Sequence, residues 1–324
     1  MSYDLTGRLV IGVASSALFD LTESGRVFRE HGEAAYRDYQ EEHRDDPLRP
    51  GVAFPFIRRL LALNDLMPPD DPLVEVIILS RNNPETGLRV MRSVASHGLA
   101  ISRAVFTQGR APFVFMPAFA MSLFLSADED DVRRAVAAGL PAGRVLESAM
   151  VDDPDDQEVR VAFDFDGVLA DDQSERIFQG SGLPSFHEYE TSHAELPHAP
   201  GPLQDFLTNL NRIQQVEENR RREDPSYRLR VQVSLITARN APSHERAVRS
   251  LKAWGVQVNE AFFLGGVDKG TVTSILRPHL FFDDQVSHLQ STSRFAPSVH
   301  VPFGVTNGSS ESDEPDPTGV SPHL

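Results

Sequence analysis

Residues 161–172 read VAFDFDGVLADD, an apolar run that stops at two aspartates one residue apart, Asp164 and Asp166, followed by Gly167. A strand ending in Asp-x-Asp-Gly puts two carboxylates on a tight turn at the carboxyl edge of a sheet, where open α/β sheets hold their ligands. Two close carboxylates suit a hard divalent cation such as Mg2+, and a carboxylate can also act as a covalent nucleophile toward phosphorus. A calcium loop counted from Asp164 would use Glu175 at its last position. Leu169 then stands where that loop needs glycine and Val168 where it needs an oxygen ligand, so the calcium reading fails. An acidic turn of purely structural purpose is the alternative that this motif alone leaves open.

Three further segments lie downstream, and their order is informative. LITAR (residues 235–239) is an apolar strand ending in Thr237, GGVDKG (265–270) sets Lys269 where a helix would begin, and LFFDDQ (280–285) ends in Asp283 and Asp284. Each has a plain reading of its own. Thr237 could cap a helix, Lys269 could be a surface lysine in a segment that lacks P-loop spacing, and the aspartate pair could be an acidic turn. Arg239 and Asn240 come after the threonine, within reach of a substrate or packed at the helix start. Phe165, between the two aspartates, would contact a sugar or base, or fill the core.

Taken in sequence, the set resembles the haloacid dehalogenase superfamily of phosphohydrolases, which uses an Asp nucleophile, a second Asp two residues on, a Ser/Thr, a Lys and an acidic pair. The segments GVAFPF (51–56), SHERAVRSLKAWGV (243–256), EAFFLGGVDKG (260–270) and FFDDQ, with LVIGVASSALFDL near the start, are similar to the cytosolic 5'-nucleotidase I family. The similarity runs from about residue 9 to residue 304. In vertebrate members the Phe165 and Gly167 positions differ, and this chain carries the more general superfamily form.

The resemblance implies a Mg2+-dependent hydrolase of nucleoside 5'-monophosphates, AMP-like or deoxy. Asp164 would be the nucleophile that forms an aspartyl-phosphate, and Asp166 the general acid and base. Thr237 would bind a phosphoryl oxygen, and Lys269 would hold Asp164 and the phosphate together. The metal set would be Asp164, Asp166, Asp283 and Asp284, and the substrate contacts Thr237, Arg239, Asn240 and Phe165. A phosphatase for another small monoester, such as a sugar phosphate, and a nucleotide-sensing or scaffold protein are the competing readings.

Composition bounds the partners. The chain has 324 residues, net charge −16 and no cysteine. Such a surface repels a nucleic-acid backbone, so no polynucleotide partner is expected. The lack of cysteine removes disulfides, thiolate metal sites and cysteine nucleophiles. No apolar run approaches membrane-spanning length, the start lacks the positive flank of a signal peptide, and a cytoplasmic location is expected. A homo-oligomer is compatible with all of this.

The chain also repeats itself. Residues 14–28 align with 164–178 without a gap. Residues 79–99 align with 236–256, and at that same second offset 106–112 meets 263–269 and 123–127 meets 280–284. Ala14 and Ser16 then stand for Asp164 and Asp166, Ser80 for Thr237, Pro112 for Lys269, and Ser126 and Ala127 for Asp283 and Asp284. The first half therefore loses the carboxylate of every expected metal ligand. It reads as a scaffold, as half of one composite domain, or as a site holding a regulatory nucleotide through Ser16, Ser80, Thr107 and Ser126.

The expected architecture is α/β, a haloacid dehalogenase-like parallel sheet flanked by helices and internally duplicated. Residues 1–150 would form a degenerate half, 151–304 a catalytic half with a small cap inserted at about 172–230, and 305–324 a disordered tail. Strands are expected at 9–13, 74–79, 123–125, 159–163, 231–236, 261–264 and 280–282. Helices are expected at 85–97, with Leu88, Met91 and Val94 on one face, and at 201–216. Residues 183–200, with His187, His193 and His198, read as a loop, and 217–224 as a solvated helix end.

Overall fold

A computed structural model describes residues 3–308. They divide into two compact units, residues 3–135 and Val136–Gly308. The first unit runs β1 (Leu9–Val13), α1 (Ser15–Leu18), α2 (Thr22–Glu42), α3 (Phe54–Ala62), β2 (Val74–Ser80), α4 (Pro84–Ser96), β3 (Arg103–Phe106), β4 (Leu123–Ser126) and α5 (Glu129–Ala137). β1 lies between β2 and β4, β3 lies outside β2, and all pairings are parallel. Every side chain of β1 and β2 is buried. That is the behaviour of a continuous apolar run in a sheet covered on both faces.

The second unit runs β5 (Ala142–Val145), β6 (Val159–Phe163), α6 (Gln173–Ser192), α7 (Gln204–Glu223), β7 (Val231–Thr237), α8 (His244–Ala253), β8 (Glu260–Phe263), α9 (Lys269–Leu276), β9 (Leu280–Asp283), α10 (Val286–Thr292) and β10 (Ser298–His300). Its strand order is β8-β7-β6-β9-β10-β5, parallel except for the β10–β5 pair. β6 is central, with Val161 in register with Val233 on one side and Leu280 on the other. The carboxyl ends of β6, β7 and β9 therefore open on one edge. Phe163, Phe206 and Phe282 pack beneath it, with centroids 5.2 to 5.9 Å apart.

The expected α/β, haloacid dehalogenase-like class is the one observed, and the seven expected strands fall within a residue of their places. The same strand order recurs in the two units, and so do details at the two sequence offsets. Gly32 in α2 and Gly182 in α6 both leave helical geometry at φ 82° and 76°, a conformation open to glycine at little cost. The Leu48 N–H donates to Ser93 Oγ as the His198 N–H donates to Ser250 Oγ, both at 2.9 Å.

Several expectations are corrected. Residues 183–192 are helical, because Gly182 breaks α6 and Pro184 opens its second half, where a proline costs no backbone bond. Within the span expected as a cap, α7 buries Phe206, Leu207, Leu210 and Ile213, with Phe206 packed on Phe163 and Phe282. Glu217 is fully buried rather than solvated, accepting bonds from Tyr227 Oη and the Arg230 and Val231 N–H groups. On α4 the buried face is Val90, Ser93 and Val94, while Leu88 is exposed. The tail expected from residue 305 is ordered at its start: Val305–Asn307 form a 3-10 turn pinned by Asp172, whose Oδ2 accepts the Val305 N–H. Residues 309–324 lie outside the described residues. Among the described residues no helix is long and apolar enough to cross a membrane.

Candidate active site

Asp164 leaves the end of β6 and is tied to its neighbour strand, its N–H donating to Phe282 O at 2.8 Å. Asp283 ends β9 beside it, and Lys269 is the first residue of α9, which Asp268 caps by accepting the Gly270 N–H. Lys269 Nζ lies 2.7 Å from Asp164 Oδ2 and 2.7 Å from Asp283 Oδ2. All three are buried. His288, on α10, places Nδ1 3.2 Å from both Asp283 oxygens.

The electrostatics are set by burial against pairing. Burial raises the Asp164 carboxyl, Lys269 opposes and the Asp283 charge assists, leaving it at about 6. Burial alone would lower the Lys269 ammonium, but the two carboxylates hold it above its ordinary value. Asp283 is also opposed by burial, yet Lys269 and the His288 hydrogen bond hold it below the usual carboxylate range.

Asp284 turns the other way. Its Oδ2 accepts Thr306 Oγ1 at 2.6 Å, and its buried Oδ1 has no hydrogen-bond partner. Burial, then the charges of Asp164 and Asp283, push this carboxyl up to about 9. Gly167, at φ +71°, lies against it: a Cβ there would sit 2.7 Å from Asp284 Cγ.

Asp166 faces a different partner. Arg239 grips both of its oxygens, Nε to Oδ2 at 2.7 Å and Nη2 to Oδ1 at 2.6 Å. Arg239 is itself buried and also bonds Glu190, the Ser243 carbonyl and His198. Thr237 is buried at the end of β7, its Oγ1 accepting the Arg239 N–H at 3.3 Å. Asn240 Oδ1 lies 3.0 Å from His187 Nε2 on α6. Phe165 is fully buried, stacked on Trp254 at 6.0 Å and edge-on to His198 at 5.3 Å. With no exposed face left for a sugar or base, its expected place among the substrate contacts is corrected to core packing.

A 5'-nucleotidase family model matches residues 1–308. The chain belongs to the 5'-nucleotidase family. It is also 33% identical over 293 residues to human cytosolic 5'-nucleotidase 1B, across 88% of this chain and 47% of that protein. The chain thus spans about half the length of this curated relative. The family found is the one the sequence motifs resemble.

In this 5'-nucleotidase family chain, Asp164, Asp283 and His288 are the group, among the described residues, whose ligand atoms all lie within 4.8 Å of one another. Asp166 and Asp284, both expected in the metal set, are not in it, and His288 was not expected. Its signal in the sequence is only its place five residues after Asp283. A cation still fits the wider cluster. Asp284 Oδ1 is an orphaned buried oxygen, and the charges of Asp164 and Asp283, with one ammonium between those two, bear on Asp284, so a divalent charge would satisfy the oxygen and offset the repulsion. Oxygen donors suit a hard ion.

The matching positions of the first unit are filled differently. Ser15 Oγ and Ser80 Oγ bond each other at 2.9 Å, Ser80 also bonds Asn82, and Ser126 Oγ accepts the Asp128 N–H. Thr107 Oγ1 donates to backbone carbonyls. Arg81 and Asp131, at the positions of Ala238 and His288, form a buried ion pair at 2.7 Å. Apart from Ser16, each of these hydroxyls makes at least one hydrogen bond within the unit.

Proposed function

We propose that the chain is a Mg2+-dependent 5'-nucleotidase that releases nucleoside and phosphate from nucleoside 5'-monophosphates. The observation that carries this is the buried Asp164–Lys269–Asp283 cluster on a sheet edge, in a chain of this family. The human relative's name supports the substrate class and a cytoplasmic location.

Asp164 Oδ attacks phosphorus, and the bond to the ribose O5' breaks as the aspartyl-phosphate forms. Asp166 gives its proton to O5', then takes one from the water that cleaves the intermediate. Each Asp166 oxygen keeps a second lone pair beside its bond from Arg239, open toward O5' or the water. Thr237 donates to a phosphoryl oxygen. Lys269 faces the attacking carboxylate and neutralises part of the anionic encounter.

One lysine does not offset that encounter. Like charges at 4 Å repel by about 4 kcal/mol at an effective dielectric near 20, and a carboxylate meeting a phosphate dianion faces several such contacts. Asp164, Asp283 and Asp284 would hold the Mg2+, which supplies charge neutralisation and polarises the phosphoryl group. Within this reading the first unit is a non-catalytic copy, since Ala14, Ser16 and Ser126 stand where the carboxylates would be.

Phosphate release over a panel of nucleoside monophosphates and sugar phosphates, with Mg2+ and then with excess chelator, tests the reading. It requires release from nucleotides that chelation abolishes. Release from sugar phosphates alone would replace the nucleotide with another monoester, and undiminished release under chelation would remove the metal.

A further inference from the structure

We propose that Glu190, on α6, is a positioning residue for the acid–base carboxylate: it locks Arg239 in place, and the locked guanidinium fixes the orientation of Asp166. This rests on the nucleotidase reading and on the acid–base role given there to Asp166.

Both carboxylate oxygens of Glu190 are engaged at this junction. Glu190 is 1% exposed. Its Oε2 accepts Arg239 Nη1 and lies 3.3 Å from His198 Nε2, and its Oε1 accepts Ser174 Oγ at 2.7 Å and Arg246 Nη1 at 2.8 Å. The remaining fork of Arg239, Nε and Nη2, is bidentate to Asp166. The guanidinium is also held between the rings of Phe165 and Phe186, at 5.0 and 5.3 Å. Two cations and two anions thus balance in a buried chain running from α6 to the turn after β6. A planar fork bonded on both edges has one orientation open to it, which is what aiming a proton requires.

The first unit separates function from folding. Gln40 and Asn82 stand at the positions of Glu190 and Arg239, and Ser16 at that of Asp166. The rest of the frame is retained. Arg89 Nη1 bonds Gln40 Oε1 at 3.1 Å as Arg246 bonds Glu190, and Arg89 Nε bonds the Asp46 carbonyl as Arg246 Nε bonds that of Leu196. The same helix junction is therefore built without either charge. Glutamate and arginine occur together in the copy that has an acid to aim, and neither occurs in the copy that has none.

The test compares Glu190→Gln with wild type on AMP, with Mg2+ present. A misaimed acid should lower kcat by on the order of 10- to 100-fold while KM moves less than about threefold. An aryl phosphate separates this from general damage, because its leaving group needs no proton. Its pre-steady-state burst of phenol should keep wild-type amplitude and rate. Ser174→Ala, which removes one bond to Glu190 and no charge, should show the same split more weakly, and it serves if Glu190→Gln does not fold. Wild-type kcat in both variants overturns the inference, as does an equal loss on both substrates that tracks a smaller burst. Failure of wild type to hydrolyse AMP would instead sink the proposed function.

Discussion

Replacing Lys269 by methionine removes one charge and keeps the volume. Its Nζ touches two buried carboxylate oxygens at 2.7 Å. At an effective dielectric near 20, each contact is worth about 6 kcal/mol of gross attraction, much of it offset by the cost of burying the ions. Breaking a buried pair by removing one partner typically costs about 3–5 kcal/mol, and that is the expected loss of unfolding free energy for the metal-free protein. Activity should fall further. With the lysine present Asp164 already sits at about 6. Without it the carboxyl of the metal-free protein rises further, so Mg2+ must displace a proton from Asp164 to bind and its apparent affinity falls. Adding the lost interaction with the incoming phosphate, Lys269→Met should turn over AMP at least about a hundredfold more slowly. Urea unfolding with chelator and steady-state phosphate release measure the two effects. A variant within about threefold of wild-type kcat would refute the reasoning, since the central cation would then contribute nothing to the attack.

The same site sets other outcomes. In metal-free protein Asp284 carries a folded-state value of about 9 against an ordinary value near 3.9, so the native state binds more protons between them. Stability should fall as pH rises across that window, by up to about 1.4 kcal/mol per unit. Added Mg2+ should therefore raise the melting temperature more at pH 8 than at pH 5, and a flat difference would contradict the assignment. Gly167→Ala should cost about 1–3 kcal/mol from its positive φ, and activity with it as the new Cβ displaces Asp284; unchanged metal affinity would count against this. Ser80→Ala in the first unit should lower melting temperature with kcat within about twofold of wild type, whereas Thr237→Ala at the matching strand end should lose tenfold or more.

How much of this was legible in the sequence depends on the range of the interactions. β1, β2, β6 and β7 announce themselves as apolar runs because a two-faced parallel strand buries nearly every residue. β3, β5 and β10 have only three or four residues, and β3 is half-buried throughout, so no run marks them. The second half of α6 was hidden by Gly182 and Pro184, which read as breakers until the kink puts the proline at a helix start. Asp164, Lys269 and Asp283 were legible because each sits at the end of a regular element whose order is a motif. The Glu190 junction was not. Its partners lie 8 to 56 residues away, and a glutamate, two arginines and a histidine scattered over that distance look like ordinary surface residues.

The central claim is that Asp164 carries the phosphoryl group between substrate and water. Rapid acid quench during AMP turnover with Mg2+, then mass mapping of the peptides, tests it most directly. The account predicts one phosphoryl adduct on the peptide containing Asp164, present in wild type and absent in Asp164→Asn, which should also be inactive yet folded. Steady turnover with no adduct on that peptide, or an Asp164→Asn protein that still releases phosphate near the wild-type rate, would contradict it.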